Sequence, residues 1–252
     1  MDQVQVSNLL QKMVGIGMKI NSQNNNENFF SEQKELIESL SLKIITNLQN
    51  AILQKGNASL IVSGGSTPKP LFKELSSFDI PWEKVKIALV DERWIPSSSD
   101  DSNEKLVKNT LLQNFAKKAQ FIPMYQEDIT IEDSQKTCSD IYQNELFPFD
   151  VIVLGMGADG HTASIFPNNI KLEEAFETKD SLCVFMTPNN APYDRMSLTK
   201  NAILSANNIY LHFEGEEKQE VYKQVLEGID KKQMPIASIL NQDKKIIEVY
   251  YK

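Results

Sequence analysis

Asp159 and His161 stand two residues apart in a glycine-rich stretch, Gly155-Met156-Gly157-Ala158-Asp159-Gly160-His161, directly after the apolar run Val151-Ile152-Val153-Leu154. A neutral imidazole can take a proton from water and return it near neutral pH, and a neighbouring carboxylate can orient it. An isolated histidine is more often a structural cap. Here the carboxylate, the glycines and the end of a buried run weigh toward chemistry. The spacing Gly155-x-Gly157-x-x-Gly160 also fits a dinucleotide-binding fingerprint, but no acidic residue is clearly placed at the end of a following strand. No Gly-x-Ser-x-Gly elbow is present, so a serine esterase is not indicated. The second histidine, His212, alternates within an apolar run and reads as structural.

Two further stretches carry suitable groups. Ser63-Gly64-Gly65-Ser66-Thr67-Pro68 follows the apolar Ala58–Val62 run. Glycines permit close backbone approach, and a helix start with two hydroxyls offers donors to an anion. The alternative is a plain tight turn, with Thr67 as helix cap and Pro68 as first helical residue. Asp91-Glu92-Arg93-Trp94 follows the apolar Val85–Val90 run. It reads either as a pocket wall or as a solvated loop with an internal ion pair. Of 26 lysines and arginines only Arg93 and Arg195 are arginine. A guanidinium binds carboxylate or phosphate with two parallel hydrogen bonds, which lysine cannot reproduce.

The elements that must position these groups alternate. Leu36, Ile37, Leu40, Ile44, Ile45, Leu48 and Ile52 recur at helical spacing and predict an amphipathic helix ending near Gly56. Strands are expected at Ala58–Val62, Val85–Val90, Phe121–Pro123 and Val151–Leu154, then at Leu182–Met186, Arg195–Leu198, Ile209–Phe213 and Ile246–Tyr250. Helices are expected through Leu71–Leu75, Leu106–Phe115, Ile131–Leu146, Glu216–Glu227 and Pro235–Leu240. Strands alternating with helices imply an α/β fold with a doubly wound, mostly parallel sheet covered on both faces, in a single domain. In such sheets ligands bind beyond the carboxyl ends of the strands, where all three loops should lie. Before Ser31 a short helix around Leu9–Val14 and an asparagine-rich loop from Asn21 to Asn28 are expected.

The totals exclude some classes. A composition of 41% hydrophobic and 24% charged residues is that of a globular chain with a sizeable core. A net charge of -8 argues against nucleic acid as a partner, while leaving room for a local cationic pocket. Cys138 and Cys183 have no metal-ligand spacing, and nothing in the cysteine and histidine placement calls for a metal. The apolar Val14–Met18 patch is too short to span a bilayer and the start lacks a positive leader. No membrane association and a cytoplasmic location are therefore expected.

Taken together, Ser63–Pro68, Val90-Asp91-Glu92-Arg93-Trp94-Ile95-Pro96 and Gly155–Pro167 resemble the 6-phosphogluconolactonase family, in order and in spacing. Ser102-Asn103, Pro192-x-x-Arg195-x-Ser197-Leu198-Thr199 and Gly215-x-x-Lys218 fit as well. The resemblance covers roughly residues 31 to 250 and implies a Rossmann-like domain over 31–252, preceded by an extension over 1–30. It implies hydrolysis of 6-phospho-D-glucono-1,5-lactone to 6-phosphogluconate in the oxidative pentose phosphate pathway, without a cofactor. His161 falls on the family's catalytic histidine, expected to act as base with Asp159 or a nearby backbone group to orient it. Substrate is then expected at the turn Gly64, Gly65, Ser66 and Thr67, with Asp91, Arg93, Asn103, Gly157, Arg195 and Lys218. The competing readings are a sugar-phosphate deaminase or isomerase using Asp91 or Glu92 as base, and a non-catalytic sugar-phosphate sensor.

Overall fold

The computed structural model describes residues 19–20 and 25–252. The helix expected around Leu9–Val14 lies outside these residues. In chain order the strands are β1 (Lys19–Ile20), β2 (Asn25–Phe29), β3 (Ala58–Val62), β4 (Val85–Leu89), β5 (Asp91–Arg93), β6 (Gln120–Phe121), β7 (Val151–Leu154), β8 (Cys183–Met186), β9 (Arg195–Leu198), β10 (Asn208–Phe213) and β11 (Ile247–Tyr251). The longer helices are α1 (Gln33–Lys55), α2 (Lys69–Ser76), α3 (Asn103–Thr110), α4 (Ile131–Glu145), α5 (Leu172–Glu177), α6 (Lys200–Leu204), α7 (Glu216–Leu226) and α8 (Ala237–Leu240).

The main sheet runs β1-β2-β11-β10-β7-β3-β4-β6, parallel throughout except for the antiparallel β1–β2 pair. This is the expected α/β architecture. Side chains alternate between two cores. Leu60, Val62, Val151 and Val153 join the core that also holds Leu36, Leu40, Ile44 and Leu48 of α1. Ile61, Ile152 and Leu154 face the other core, with Tyr142 of α4 and Val221 and Val225 of α7. A strand buried on both faces has no polar side, which is why these runs are continuously apolar. α1 ends at Gly56, whose φ of 86° lets its N–H reach the Ile52 carbonyl at 2.9 Å.

β3 and β7 are neighbours, and the chain winds outward from them in opposite directions, through β4 and β6 on one side and β10 and β11 on the other. The crevice between them is the point where strand order reverses, so the loops after β3 and β7 diverge from a shared edge. Ser63 N–H bonds the Val153 carbonyl at 3.0 Å, and its Oγ accepts the Gly155 N–H at 3.1 Å. The two loops are thereby stitched together at their roots.

Four expectations are corrected. The asparagine-rich stretch before Ser31 is not all loop: Asn25–Phe29 forms β2, parallel to β11. It lacks apolar alternation because its buried asparagines find partners, Asn25 Nδ2 donating to the Leu240 carbonyl and Asn28 Nδ2 to that of Val249. The strands at 183–186 and 195–198 do not join the main sheet; with β5 they form a separate antiparallel sheet ordered β5-β9-β8. The segment joining β8 to β9 has room for a hairpin but not for a helical crossover, so only antiparallel pairing is open to it. Finally, Pro68 rather than Thr67 stands at the N-cap of α2, and no side-chain cap bond is made there. The helix expected through Phe115 ends at Thr110, where the chain passes toward a 3-10 turn over Asn114–Lys118.

Candidate active site

A cavity of about 260 Å³ opens at the crevice between β3 and β7. Its walls come from the three stretches identified by sequence and from the end of β10. Parallel strands end on one edge, which is what brings residues a hundred positions apart to one place.

The β7 loop delivers the imidazole. Its backbone closes on itself, Gly157 N–H bonding the His161 carbonyl at 2.9 Å and Gly160 N–H that of Gly157 at 3.1 Å. Gly160 turns the chain with a φ of 77°, and a side chain there would strike Met234. At Gly157 a Cβ would lie 2.2 Å from Cε1 and Nδ1 of His161, so the ring lies directly over this bare backbone. His161 Nδ1 sits 2.5 Å from Asp159 Oδ1, which also accepts the His161 backbone N–H at 3.1 Å. Phe166 covers the ring, with centroids 4.9 Å apart. Burial opposes charge on Asp159, but the hydrogen bonds and charge of His161 outweigh it and hold the carboxyl below its usual range. An ionised carboxylate only accepts, so Nδ1 must donate to it, leaving Nε2 with the free lone pair. The imidazole is about one-third exposed and lines the cavity.

The β3 loop supplies the opposite wall. Gly64, Gly65, Ser66 and Thr67 all line it, with Gly65 at a φ of 94°. Thr162 Oγ1 donates to the Gly155 carbonyl at 2.9 Å, a bond that braces the facing β7 loop across itself.

Asp91, Arg93 and Asn103 form the third wall. Asp91 is buried and accepts from Ser164 Oγ at 2.6 Å, linking β5 to the β7 loop. Asn103 Nδ2 donates to the Asp91 carbonyl at 2.8 Å. The Asn103 amide also packs on Gly64, where a Cβ would fall 1.9 Å from Oδ1. Arg93 bonds the Asp101 carbonyl through Nη1. Lys218, near the start of α7, reaches the cavity as well; burial lowers its pKa, opposed by Glu214 and Glu217.

Arg195 stands apart from the other expected binding residues. It pairs in register with Arg93 across β5 and β9, is buried, and is not on the cavity wall. Burial, then the charge of Arg93, lowers its pKa. Asp159 also lies off the wall, behind the imidazole it holds. Two residues read differently from sequence, His212 as structural and Glu92 as a possible base, are placed otherwise by the structure. His212 lines the cavity from the end of β10, a position that strand-end reasoning could have flagged. Glu92 is wholly buried and accepts four hydrogen bonds instead of facing the cavity, so it is not placed to act as the base of a deaminase. Among the described residues no cluster of three or more His, Cys, Asp or Glu could hold a metal ion, and no helix is long and apolar enough to cross a membrane.

Known proteins resemble this chain in sequence and in fold. The chain is 39% identical to a 6-phosphogluconolactonase of Rhizobium meliloti over 227 residues, covering 90% of this chain and 98% of that one. A Helicobacter pylori 6-phosphogluconolactonase is 36% identical, covering 88% and 96%. The crystal structure of a 6-phosphogluconolactonase from Shewanella baltica superposes with a TM-score of 0.87 at 43% identity, covering 93% of this chain and 99% of that one. The family model for glucosamine-6-phosphate isomerases/6-phosphogluconolactonase matches residues 31–248. With the motifs at one sheet edge and the match spanning nearly the whole described chain, the protein belongs to the glucosamine-6-phosphate isomerase/6-phosphogluconolactonase family.

Proposed function

We infer that this protein hydrolyses 6-phospho-D-glucono-1,5-lactone to 6-phosphogluconate in the oxidative pentose phosphate pathway, with His161 as general base. The observation that carries the mechanism is the Asp159–His161 pair presenting a free Nε2 to a cavity that also holds Arg93 and Lys218. Nε2 takes a proton from water as the water oxygen bonds to the lactone carbonyl carbon. The tetrahedral intermediate then breaks its bond to the ring oxygen, which leaves with the proton held on Nε2. Asp159 fixes the tautomer and stabilises the imidazolium between the two steps. An activated ester needs a modest reduction of its barrier, within reach of one base and good positioning.

The phosphate is assigned to the Gly64–Thr67 turn, whose bare backbone and hydroxyls suit an anion, with Arg93 and Lys218 as cations. Asp91, Asn103 and Gly157 shape the sugar side. Arg195 acts through Arg93, its cross-strand neighbour. The catalytic unit is read as residues 31–252, with β2 from the preceding segment adding a strand beside β11. A cytoplasmic setting agrees with the free, buried thiols of Cys138 and Cys183.

The test is a lactonase assay on freshly generated 6-phosphogluconolactone, corrected for spontaneous hydrolysis, run beside ammonia release from glucosamine 6-phosphate. Lactone turnover without ammonia is expected. Ammonia release without lactone turnover would move the protein to the other branch of the family.

A further inference from the structure

Glu92 is the only charged group in the Asp91–Trp94 stretch with no place on the cavity wall, yet it is completely buried. A buried carboxylate is retained only when its charge is met. Here four donors converge on it. Oε1 accepts the backbone N–H of Arg93 at 2.7 Å and of Asn103 at 2.8 Å. Oε2 accepts the backbone N–H of Glu104 at 2.7 Å and the Ser102 hydroxyl at 3.0 Å. Three of these donors belong to the start of α3, whose first N–H groups otherwise lack partners and whose dipole favours a negative charge. The fourth belongs to Arg93, on the strand Glu92 itself occupies.

The carboxylate therefore joins two elements that both end in the cavity. Arg93 follows it in β5, and Asn103 begins α3. Asn103 continues the chain of contacts, donating to the Asp91 carbonyl and packing on Gly64 of the anion-suited turn. The base side has supports of its own, the closed backbone of the β7 loop and Phe166, and meets β5 through the Ser164–Asp91 bond, which Glu92 does not share. We propose that Glu92 is a positioning residue for substrate binding, a buried anionic clamp that sets Arg93 and Asn103 against the Gly64–Thr67 turn while leaving the Asp159–His161 base untouched.

This proposal rests on the lactonase reading, and Glu92→Gln tests it. Glutamine keeps the shape, but its NH2 group meets N–H and O–H donors that now lack an acceptor, so the clamp opens on one side. The expected result is a KM raised about tenfold or more with kcat within about threefold. The Kd for 6-phosphogluconate should weaken by a factor similar to that for KM. Thr130→Ala removes the cap of the distant helix α4; it should lower Tm and leave KM unchanged, which separates positioning from general loss of stability. If Glu92→Gln is not recovered folded, Ser102→Ala removes one of the four bonds, together with the α3 cap bond from the Lys105 N–H, and should raise KM by about two- to threefold. A KM and Kd within twofold of the unaltered protein in Glu92→Gln overturn the proposal. So does an unchanged KM in Ser102→Ala, or a KM change matched by Thr130→Ala. An unaltered protein that neither turns over the lactone nor binds phosphogluconate refutes the lactonase reading itself, whereas normal activity with an indifferent Glu92→Gln refutes only the clamp.

Discussion

The chain's two histidines use the same local recipe to different ends. His161 contacts a carboxylate two residues before it, and His212 one two residues after it, Nε2 lying 3.2 Å from Glu214 Oε1. Both line the cavity, and in each pair the histidine helps hold the carboxyl below its usual range. Their surroundings separate them. His212 ends a strand, is 2% exposed, and its carboxylate also accepts from Gln33 Nε2 at 2.8 Å, tying β10 to the start of α1. His161 sits on a loop with about a third of its side chain open. Extended chain puts residues two apart on one face without special geometry, and Glu214 directly follows the last residue of β10. On the β7 loop the same meeting needs the positive φ of Gly160 and the missing side chain of Gly157. A histidine–carboxylate pair is thus a common packing device; a reachable nitrogen makes it a candidate for catalysis.

The contrast can be broken from either side. The largest effect is expected from His161→Ala, with kcat falling about 10²- to 10⁴-fold while 6-phosphogluconate still binds; loss of binding with turnover retained would contradict the base assignment. Gly157→Ala should come next, lowering kcat about 10²-fold in a protein that still folds, because the added methyl displaces the ring. Circular dichroism alongside the assay distinguishes this from collapse. Arg195→Lys is expected to raise KM by a few-fold, about 1 kcal/mol of binding, by relaxing the packing beside Arg93. An unchanged KM would leave Arg195 a purely structural residue. His212→Gln should change kcat by less than about threefold, since it removes no reachable nitrogen; a loss comparable to that of His161→Ala would reverse the comparison.

A pH dependence sharpens the same contrast. The folded pKa of Asp159 is depressed, so its contact with His161 stabilises the fold above the unfolded carboxyl value, about 3.9, and that gain is lost as pH falls through the folded value. The Tm difference between the unaltered protein and Asp159→Asn should therefore be present at pH 6 and shrink toward pH 3. A difference that grows on acidification would show the contact to be worth more with a neutral carboxyl.

Much of the site was legible because parallel strands end together. Three apolar runs followed by glycines or charges were enough to place Gly64, Arg93 and His161 on one edge. Less could be read where tertiary contacts replace local pattern. β2 has no apolar alternation, and its strand state depends on the open edge of β11 and on carbonyls that accept from Asn25 and Asn28. Arg195 carried a sound argument from rarity, yet its direction depends on β9 leaving the main sheet for β5. Glu92 looked like a solvated charge or a rival base; that it caps a helix ten residues later appears only once α3 folds back onto β5.

By itself the sequence determined the α/β alternation, the two-faced burial of β3 and β7, the end of α1 at Gly56 and the family motifs. These follow from hydrophobic period, glycine backbone freedom and side-chain chemistry, all of which are local. The tertiary structure decided which polar groups face the cavity and which are consumed in holding it. That choice depends on strand pairing and burial across long stretches of chain, where a carboxylate becomes a clamp or a proton-handling partner according to the donors that surround it.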